Sequence, residues 1–253
     1  MTKRPYLSVV IPCYNERENL ERGVLEEVEN FLGKQRFSWE VIVSDDGSTD
    51  NSRELVKKAV IGKAGFRLVE NLHGGKPSAV WGGIKEAKGE YVLFSDMDQS
   101  APLKEVSKLM PFFDEYEVVI GSRGSIRENF GVLRKVGSVA FRLIRQAFFL
   151  RGIKDTQCGF KALRAEVAKE IFPRLEFFRQ KKQVRGWKVT SFDVELLFLA
   201  EKFGYKIKEV AVEWKDRDVS TSKKKSYLKE SLEMLKQIFR VKLNDLKGLY
   251  SIN

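Results

Sequence analysis

Tyr91-Val-Leu-Phe-Ser-Asp96-Met-Asp98-Gln-Ser-Ala-Pro102 is the most informative stretch of this chain. Its first residues, Tyr91 to Phe94, form an unbroken apolar or aromatic run, which predicts a short strand buried on both faces. Two carboxylates, Asp96 and Asp98, follow directly at the end of that strand. Side chains spaced in this way can reach one cation, and a divalent ion so held keeps positions open for a diphosphate. The stretch therefore predicts either a metal–nucleotide site or, more simply, a polar turn.

The first half of the chain alternates predicted strands with predicted helices. The apolar runs from Tyr6 to Pro12 and from Glu40 to Ser44 predict strands, and Asn19 to Leu32 carries apolar residues at helical spacing. Strands that alternate with helices predict a parallel α/β sheet, whose carboxyl edge binds ligands. Further helices are expected at 51–60, 78–87 and 103–113, and further strands at 66–70 and 117–121.

The second half of the chain is less regular. Residues 131–150 predict one long helix decorated with arginines, and residues 192–203 predict another. A strand is expected at 206–214, and leucines with lysines from Tyr227 onward predict a basic amphipathic helix. Because no Gly/Pro/Ser-rich linker interrupts the chain, we expect a single domain over 1–253.

Composition narrows the classes of protein to consider. Lysine and arginine number 46 against 35 aspartates and glutamates, and the net charge of +11 favours a polyanionic partner such as nucleic acid, an anionic lipid surface or a phosphorylated substrate. Two cysteines and one histidine exclude a disulfide framework and a multi-histidine metal site. No apolar run approaches the ~18 residues of a membrane span, and the first residues are no signal peptide. We therefore expect a cytoplasmic protein that does not cross a membrane on its own.

Four motifs fall at predicted strand ends. They are Pro12-Cys-Tyr14-Asn15-Glu16, Asp45-Asp46-Gly47-Ser48, Gly74-Gly75-Lys76 and Asp96-x-Asp98. In their order and spacing they resemble the inverting, nucleotide-sugar-dependent glycosyltransferases of family two.

Further motifs follow later in the chain. They are Gly121-Ser-Arg123, Asp155-Thr-Gln-Cys158-Gly159-Phe160-Lys161, Phe192-Asp193-Val-Glu195, Val212-Glu-Trp214 and Ser222-Lys223. This set is similar to the dolichyl-phosphate β-glucosyltransferase branch, with dolichyl-phosphate mannose synthases somewhat further off. The similarity extends over about residues 6 to 225.

This resemblance implies an α/β protein of the GT-A fold, with a Rossmann-like, mostly parallel sheet flanked by helices in one domain. Residues 6–122 would bind the nucleotide sugar, 123–225 would bind the acceptor, and 226–253 would form the C-terminal basic amphipathic helix. The implied reaction is metal-dependent transfer of a hexose to a polyprenyl or dolichyl phosphate with inversion, with UDP-glucose as the favoured donor. Mannose from GDP-mannose, a hydroxyl acceptor such as a polysaccharide, and a non-catalytic basic protein that binds membranes or nucleic acid are the alternatives.

The resemblance also assigns roles at the nucleotide. Asp46 would hydrogen-bond the base, whereas Asp45 either contributes to the nucleotide site or caps the turn. Lys76 follows two glycines that let the backbone approach a phosphate, which the lysine can then neutralise. The residues that would line the base and ribose pocket are Pro12, Tyr14 and Glu16.

Asp96 and Asp98 are expected to bind Mg²⁺ or Mn²⁺ on the diphosphate, with Asp98 the more direct ligand. Gln99 replaces residues that relatives often have there, so we do not expect it to supply a further ligand. With Asp98, the resemblance makes Asp193 and Arg123 the candidate catalytic residues.

The acceptor decides whether a base is needed. A hydroxyl acceptor would need a carboxylate base, and Asp193 occupies that place in the motif. A polyprenyl phosphate has a second pKa of about 6 and is mostly a dianion already, so it needs positioning and positive charge instead. By motif, the basic residues that would bind the acceptor phosphate are Arg123, Lys161 and Lys223.

Basic residues on helices that also carry an apolar face would allow the protein to bind peripherally to the cytoplasmic face of an anionic membrane. The alternative is that the apolar faces of these helices pack in the protein core and that their basic residues are simply solvated. We expect no nucleic-acid partner, because no stacked-aromatic or helix-turn-helix pattern is present.

Overall fold

A computed structural model of the chain describes residues 4–123, 152–179, 192–219, 236 and 239–251. Its strands form one seven-stranded sheet in the order β3-β2-β1-β4-β6-β5-β7. The strands are β1 Leu7–Cys13, β2 Trp39–Asp45, β3 Phe66–Glu70, β4 Tyr91–Ser95, β5 Val118–Ser122, β6 Phe160–Arg164 and β7 Ile207–Ala211. The predicted strands are therefore present, with bounds that differ by up to three residues.

Most of the sheet is parallel. β1 pairs in parallel with both β2 and β4, β2 with β3, and β5 with β7. Only β6 runs the other way, since it is antiparallel to β4 and to β5. The chain proceeds outward from β1 to β3 and then returns to the opposite side of β1 as β4, which creates a topological switch point between β1 and β4.

Helices cover both faces of the sheet, which is why the central strands β1 and β4 are buried at every position and are mostly apolar. In β1, Val10 belongs to one hydrophobic cluster, whereas Val9 and Ile11 belong to the other, because alternate side chains of a strand point to opposite faces. The helices are α1 Arg17–Glu21, α2 Val24–Leu32, α3 Ser52–Val60, α4 Lys76–Glu86, α5 Val106–Leu109, α6 Ala165–Ile171, α7 Glu176–Arg179 and α8 Phe192–Lys202. Residues 239–246 are also helical. The prediction of a mostly parallel α/β sheet flanked by helices is confirmed.

Two local expectations were wrong. The single helix predicted over 19–32 is two helices, because Gly23 adopts a φ of +86° between them. The segment predicted as helix 103–113 contains one turn of α-helix between two 3₁₀ turns. The strand β1 continues through Pro12, which lies beyond the last residue paired with β4, so that only its β2 side takes part in the ladder there.

Other expectations lie partly or wholly outside the described residues. The predicted helix at 131–150 does so entirely, and the helix predicted over 226–253 does so at 226–235, 237–238 and 252–253. Among the residues that are described, no helix combines the length and the apolar character needed to cross a membrane.

Candidate active site

The predicted site residues of the first half gather at the carboxyl edge of the sheet. The loops after β1, β2 and β4 meet there with the N-terminus of α4, on both sides of the switch point. The loops after β1 and β2 are tied together by Asn15, whose backbone N–H donates to Ser48 Oγ at 3.1 Å and whose Oδ1 accepts from the Thr49 N–H at 2.9 Å. Asn15 has a φ of +53°, a conformation that asparagine tolerates better than most residues.

The two carboxylates after β4 have different surroundings. Asp96 Oδ1 lies 2.5 Å from Lys76 Nζ, so this carboxylate is paired with an ammonium group. Asp98 Oδ1 accepts from the Ser100 N–H at 2.8 Å. Burial, followed by the nearby negative charge of Asp96, raises the pKa of Asp98. Asp96 and Asp98 together therefore carry more negative charge than their surroundings neutralise, and this favours the binding of a cation.

Lys76 remains charged at this edge. Burial alone would lower its pKa, but the charges of Asp96, Asp193 and Asp98 outweigh burial and raise it. Because all three carboxylates act on one ammonium group, the structure brings Asp193 to the same site as the two aspartates after β4. A cation at the first turn of α4, next to Gly75, is well placed to meet a phosphate.

The turn that carries Asp96 and Asp98 is fixed by hydrogen bonds and packing from neighbouring residues. Gln99 has a φ of +50°, and its Nε2 donates to Ser95 Oγ at 3.0 Å and to the Asp96 carbonyl at 2.9 Å. Arg22 Nη2 donates to the Asp98 carbonyl at 2.8 Å. The Cα of Gly159 packs against the Asp96 carboxylate so closely that a Cβ there would lie 2.0 Å from Oδ2. The turn is therefore held in one shape by the protein itself.

Asp45 and Asp46 are both fully buried and are engaged within the protein. Asp45 Oδ2 lies 2.7 Å from Arg53 Nη2 and also accepts from the Gly47 N–H at 3.1 Å, which closes the turn after β2. Asp46 accepts from the backbone N–H groups of Gly74 at 3.0 Å and Gly75 at 2.7 Å. Burial raises the pKa of Asp46, although these donors oppose it. Asp46 thus fastens the glycine loop that precedes Lys76, and its contact with a base remains a prediction.

His73 is a residue of this region to which the sequence gave no role. Its ring stacks on that of Tyr14 with centroids 4.3 Å apart, and its Nδ1 lies 2.9 Å from Asp46 Oδ2. Tyr14 is half-buried, and its neighbour Glu16 is buried with Oε2 accepting from Asn19 Nδ2 at 2.7 Å. The position of His73, one residue before the Gly74-Gly75-Lys76 motif, was the only signal in the sequence that could have identified it.

Two of the three cationic residues predicted to bind the acceptor phosphate lie in ion pairs. Lys161 Nζ is 2.6 Å from Asp193 Oδ1, and the lysine is completely buried. Arg123 donates from Nε and Nη2 to both oxygens of Asp155, at 2.7 and 2.8 Å. Burial works to raise the pKa of Asp155, but the Arg123 guanidinium outweighs it and holds this pKa well below its usual range. Lys223 lies outside the described residues.

A segment after β7 packs along the site. Its Val212 N–H donates to the Ser122 carbonyl at 3.0 Å, and its Lys215 N–H donates to the Ser100 carbonyl at 2.9 Å. Between these anchors, the ring of Trp214 lies under the Arg123 guanidinium, with 5.7 Å from ring centroid to guanidinium carbon. The segment thus connects the acidic turn after β4 with the Arg123–Asp155 pair.

The residues present fit a hard divalent cation. Asp96 and Asp98 offer carboxylate oxygens, which suit Mg²⁺ or Mn²⁺, and the raised pKa of Asp98 reflects charge that such an ion would neutralise. In the described part of the chain, no group of three or more His, Cys, Asp or Glu side chains is arranged to hold a metal. A cation here would therefore depend on a ligand such as a diphosphate for its remaining positions.

Known proteins resemble this chain in sequence over nearly its whole length. It is 34% identical to a dolichyl-phosphate β-glucosyltransferase of Dictyostelium discoideum, in an alignment that covers 98% of this chain and 77% of the relative. It is 30% identical to the protein of the same name from Saccharomyces cerevisiae, covering 98% of this chain and 77% of the relative. For the human protein of that name the identity is 30%, with coverage of 97% and 78%.

Solved structures confirm the predicted GT-A fold. Glucosyl-3-phosphoglycerate synthase from Mycobacterium tuberculosis, in complex with Mn²⁺, UDP and phosphoglyceric acid, superposes with a TM-score of 0.66 at 20% identity, covering 98% of this chain and 80% of that one. Mannosyl-3-phosphoglycerate synthase from Rubrobacter xylanophilus gives a TM-score of 0.66 at 14% identity, covering 98% and 76%. At these identities the likeness concerns the fold alone.

A family model settles the class of enzyme that the motifs predicted. The model described as glycosyl transferase family 2 matches residues 8–172, a span that contains both acidic motifs and the glycine loop before Lys76. Because this span is more than half of the chain and the sequence relatives align along nearly all of it, the chain belongs to glycosyl transferase family 2.

Proposed function

We propose that this chain transfers glucose from UDP-glucose to a dolichyl or other polyprenyl phosphate, with inversion at the anomeric carbon. The observation that carries the proposal is the pair of aspartates after β4, set at the switch point of a chain that is 34% identical to a dolichyl-phosphate β-glucosyltransferase over 98% of its length. The sheet edge supplies a place for a nucleotide, and the aspartates supply a place for its diphosphate.

Asp96 and Asp98 would hold Mg²⁺ or Mn²⁺ at the diphosphate. When bound, the ion offsets the negative charge that develops on the departing nucleoside diphosphate. Lys76 adds a fixed positive charge at the same edge, and its raised pKa keeps it protonated at neutral pH. The Gly74–Gly75 loop, fastened by Asp46, holds the start of α4 where its N–H groups can meet a phosphate. The residues at the carboxyl edge of the sheet would therefore contribute to catalysis mainly by stabilising the leaving group.

A phosphate acceptor suits the state of Asp193. One of its oxygens is engaged by a buried ammonium group, so the carboxylate is held as an ion-pair partner. A polyprenyl phosphate is already mostly ionised at neutral pH and needs no base. The Arg123 guanidinium, fixed by Asp155 and by Trp214, provides a positive group on the acceptor side of the site. A hydroxyl acceptor would instead require Asp193 to take a proton.

The C-terminal segment offers a surface for a lipid bilayer. Val241 and Tyr250 pack inward, whereas the opposite face of the helix at 239–246 and the turn after it exposes apolar side chains. We propose that this face lies on an anionic membrane, with Lys247 and its basic neighbours directed to the headgroups. The exposed residues are Phe239 at 51%, Leu243 at 54%, Leu246 at 74% and Leu249 at 42%.

A transfer assay tests the reaction. Labelled UDP-glucose and, in parallel, GDP-mannose are incubated with a short polyprenyl phosphate in detergent, with Mg²⁺, with Mn²⁺ or with EDTA. We expect organic-extractable label from UDP-glucose, lost with EDTA. Label from GDP-mannose alone would overturn the choice of donor. Donor hydrolysis without lipid-linked sugar would overturn the choice of acceptor and favour Asp193 as a base.

Sedimentation with vesicles tests the membrane surface. Leu243→Gln/Leu246→Gln should lower the fraction of protein bound to anionic vesicles by about tenfold, because two apolar side chains that would enter the bilayer are lost from the exposed face. Ile61→Gln, which changes an apolar residue that is 76% exposed at the end of α3, is the matched control and should bind as the wild type does. Equal binding by all three proteins would overturn the assignment.

A further inference from the structure

We propose that Lys161 is a positioning residue for sugar transfer: it fixes Asp193, and it acts on the reaction only through that carboxylate. The inference rests on the proposed function, because it concerns how the same site is held. It differs from the role expected from the sequence, in which Lys161 would bind the acceptor phosphate directly.

Lys161 lies in the middle of the sheet and not on a surface. It is on β6, between Phe94 of β4 and Ile120 of β5, and none of it is exposed. Its ammonium group lies 5.5 Å from the centroid of the Phe94 ring. A lysine in such a place is rare unless its charge is paired, because a buried ammonium is costly to desolvate. The pairing of this group therefore indicates what the residue does.

The ammonium group has two acceptors, and each belongs to a different part of the site. It donates to Asp193 Oδ1 at 2.6 Å, in the first turn of α8, and to the Cys158 carbonyl in the loop before β6. The residue after Cys158 is Gly159, whose Cα packs against the Asp96 carboxylate. One side chain thus links α8, the start of β6 and the acidic turn after β4.

Asp193 is the part of this linkage that faces the site. Its side chain is 12% exposed, and its charge acts on both Lys76 and Arg123. A carboxylate with one oxygen held by a buried cation cannot rotate freely, so its other oxygen is presented in one direction. Loss of Lys161 would free Asp193. Misplacement of this kind slows the chemical step far more than it weakens substrate binding.

A double-mutant cycle tests the proposal. Lys161→Met should lower kcat for transfer from UDP-glucose about 100-fold, with the KM values for UDP-glucose and polyprenyl phosphate within about threefold of wild type. In the Asp193→Asn background the same substitution should change kcat by less than about threefold, because the residue on which Lys161 acts has already been altered. Lys161→Arg, which keeps the charge, should restore part of the activity.

Three results would overturn the proposal. If the KM for polyprenyl phosphate rises tenfold or more while kcat stays within about threefold, Lys161 contacts the acceptor. If the loss in the Asp193→Asn background is as large as in the wild type, Lys161 does not act through Asp193. If kcat per folded molecule is unchanged, the pair is merely structural. Arg67→Met is the matched control, because it breaks a pair with the buried Glu40 at the other edge of the sheet and should leave kcat per folded molecule unchanged.

Two features keep the experiment decisive. Lys161→Met/Asp193→Asn leaves no unpaired buried charge, so if Lys161→Met alone fails to fold, equal kcat values for the double variant and Asp193→Asn support the proposal and a further loss overturns it. If the wild type transfers no glucose to polyprenyl phosphate, the proposed function fails. The cycle is then measured on metal-dependent hydrolysis of UDP-glucose, where coupling of the two residues still supports the positioning role and its absence overturns it.

Discussion

A buried or half-buried carboxylate lies at each of the two ends of the sheet, here called the amino edge and the carboxyl edge. The two carboxylates differ in how far the folded chain itself compensates their negative charge. At the amino edge, Glu40 accepts from Ser8 Oγ, from the Lys88 N–H at 2.7 Å and from Arg67 Nη1 at 2.5 Å. Burial works to raise the pKa of Glu40, but these donors outweigh it and lower the pKa. At the carboxyl edge, burial and the charge of Asp96 outweigh the hydrogen bonds that Asp98 accepts from Ser100, and its pKa is raised.

This difference separates a structural carboxylate from one that is suited to a ligand. Glu40 is ionised at neutral pH because the folded chain provides all its donors, so its charge contributes to stability. Asp98 carries a charge that the chain does not neutralise, so its charge costs stability until a cation arrives. The net charge of +11 does not by itself neutralise Asp98, and the Lys76 ammonium is paired with the neighbouring Asp96.

Asp98→Asn should give the largest effect. We expect glucosyl transfer to fall about 1,000-fold, because the ion loses its more direct ligand and the leaving group loses its stabilisation. The free energy of unfolding without metal should stay the same or rise, since an uncompensated charge is removed. Transfer assays with Mg²⁺, combined with urea unfolding in EDTA, measure both quantities.

The two readouts for Asp98→Asn separate the alternatives. A polar turn without a ligand would give unchanged transfer. A structural role like that of Glu40 would give a loss of transfer that follows the loss of folded protein. Only the combination of lost transfer and retained stability agrees with a ligand site.

Glu40→Gln should show the opposite combination. We expect a loss of about 3 kcal/mol in the free energy of unfolding, because charge-assisted hydrogen bonds are lost and the Arg67 guanidinium is left without its partner. The kcat per folded molecule should stay within about twofold of wild type, since the residue lies at the edge remote from the site. Urea unfolding and transfer assays on the same preparation measure the two. If Glu40→Gln lowered kcat and left the free energy of unfolding unchanged, Glu40 would not be a structural carboxylate, and the distinction between the two edges would fail.

The sequence predicted the carboxyl edge well because its signals are local. In β1, β2 and β4 the apolar run and the polar residues that end it are adjacent in the chain, so the strand and its loop are read together. The parallel direction of these strands then follows from their alternation with helices. For this reason Asp96, Asp98 and Lys76 could be placed at one edge before the structure was known.

The strand β6 could not be predicted in the same way. Its sequence, Phe160-Lys-Ala-Leu-Arg164, has a lysine where a buried strand would be apolar, and the acceptor that makes this burial possible is Asp193, 32 residues away. Its antiparallel direction depends on neighbours on both sides and not on its own residues. The internal partners of Asp45 and Asp46 escaped prediction for the same reason, since Arg53 and the Gly74–Gly75 loop become neighbours only in the fold.

Glu195 on α8 sharpens the comparison, because it has a raised pKa like Asp98 but has partners within the chain. Tyr250 OH donates to its Oε1 at 2.7 Å, and the Glu176 N–H donates to the same oxygen at 2.6 Å. Burial raises the pKa of Glu195 to about 7. A raised pKa in the folded state means that its favourable contribution is complete below the unfolded value and is lost as the pH rises through about 7.

Glu195→Gln should remove this pH dependence. Above pH 7 the variant should be more stable than the wild type by about 2 kcal/mol, and near pH 5 the two should converge, because glutamine resembles the protonated acid. Urea unfolding from pH 5 to pH 8.5 measures the difference. If the free energies of unfolding of the two proteins changed in parallel from pH 5 to pH 8.5, Glu195 would be ionised over this whole range. Its burial beside neutral donors would then not distinguish it from Glu40.

Gly159→Ala should give the smallest effect, and it tests how tightly the carboxyl edge is built. A Cβ at this position would lie 2.0 Å from Asp96 Oδ2, so the carboxylate at the end of a side chain has to move while the backbone stays. We expect transfer to fall about tenfold, because Asp96 no longer presents its oxygens beside Asp98, with little change in the free energy of unfolding. Gly33→Ala, in which the new Cβ would meet only the Glu29 carbonyl at 3.2 Å, is the control far from the site. Equal activity of the two variants would mean that the position of Asp96 is not critical, and that Asp98 alone accounts for the difference between the two edges.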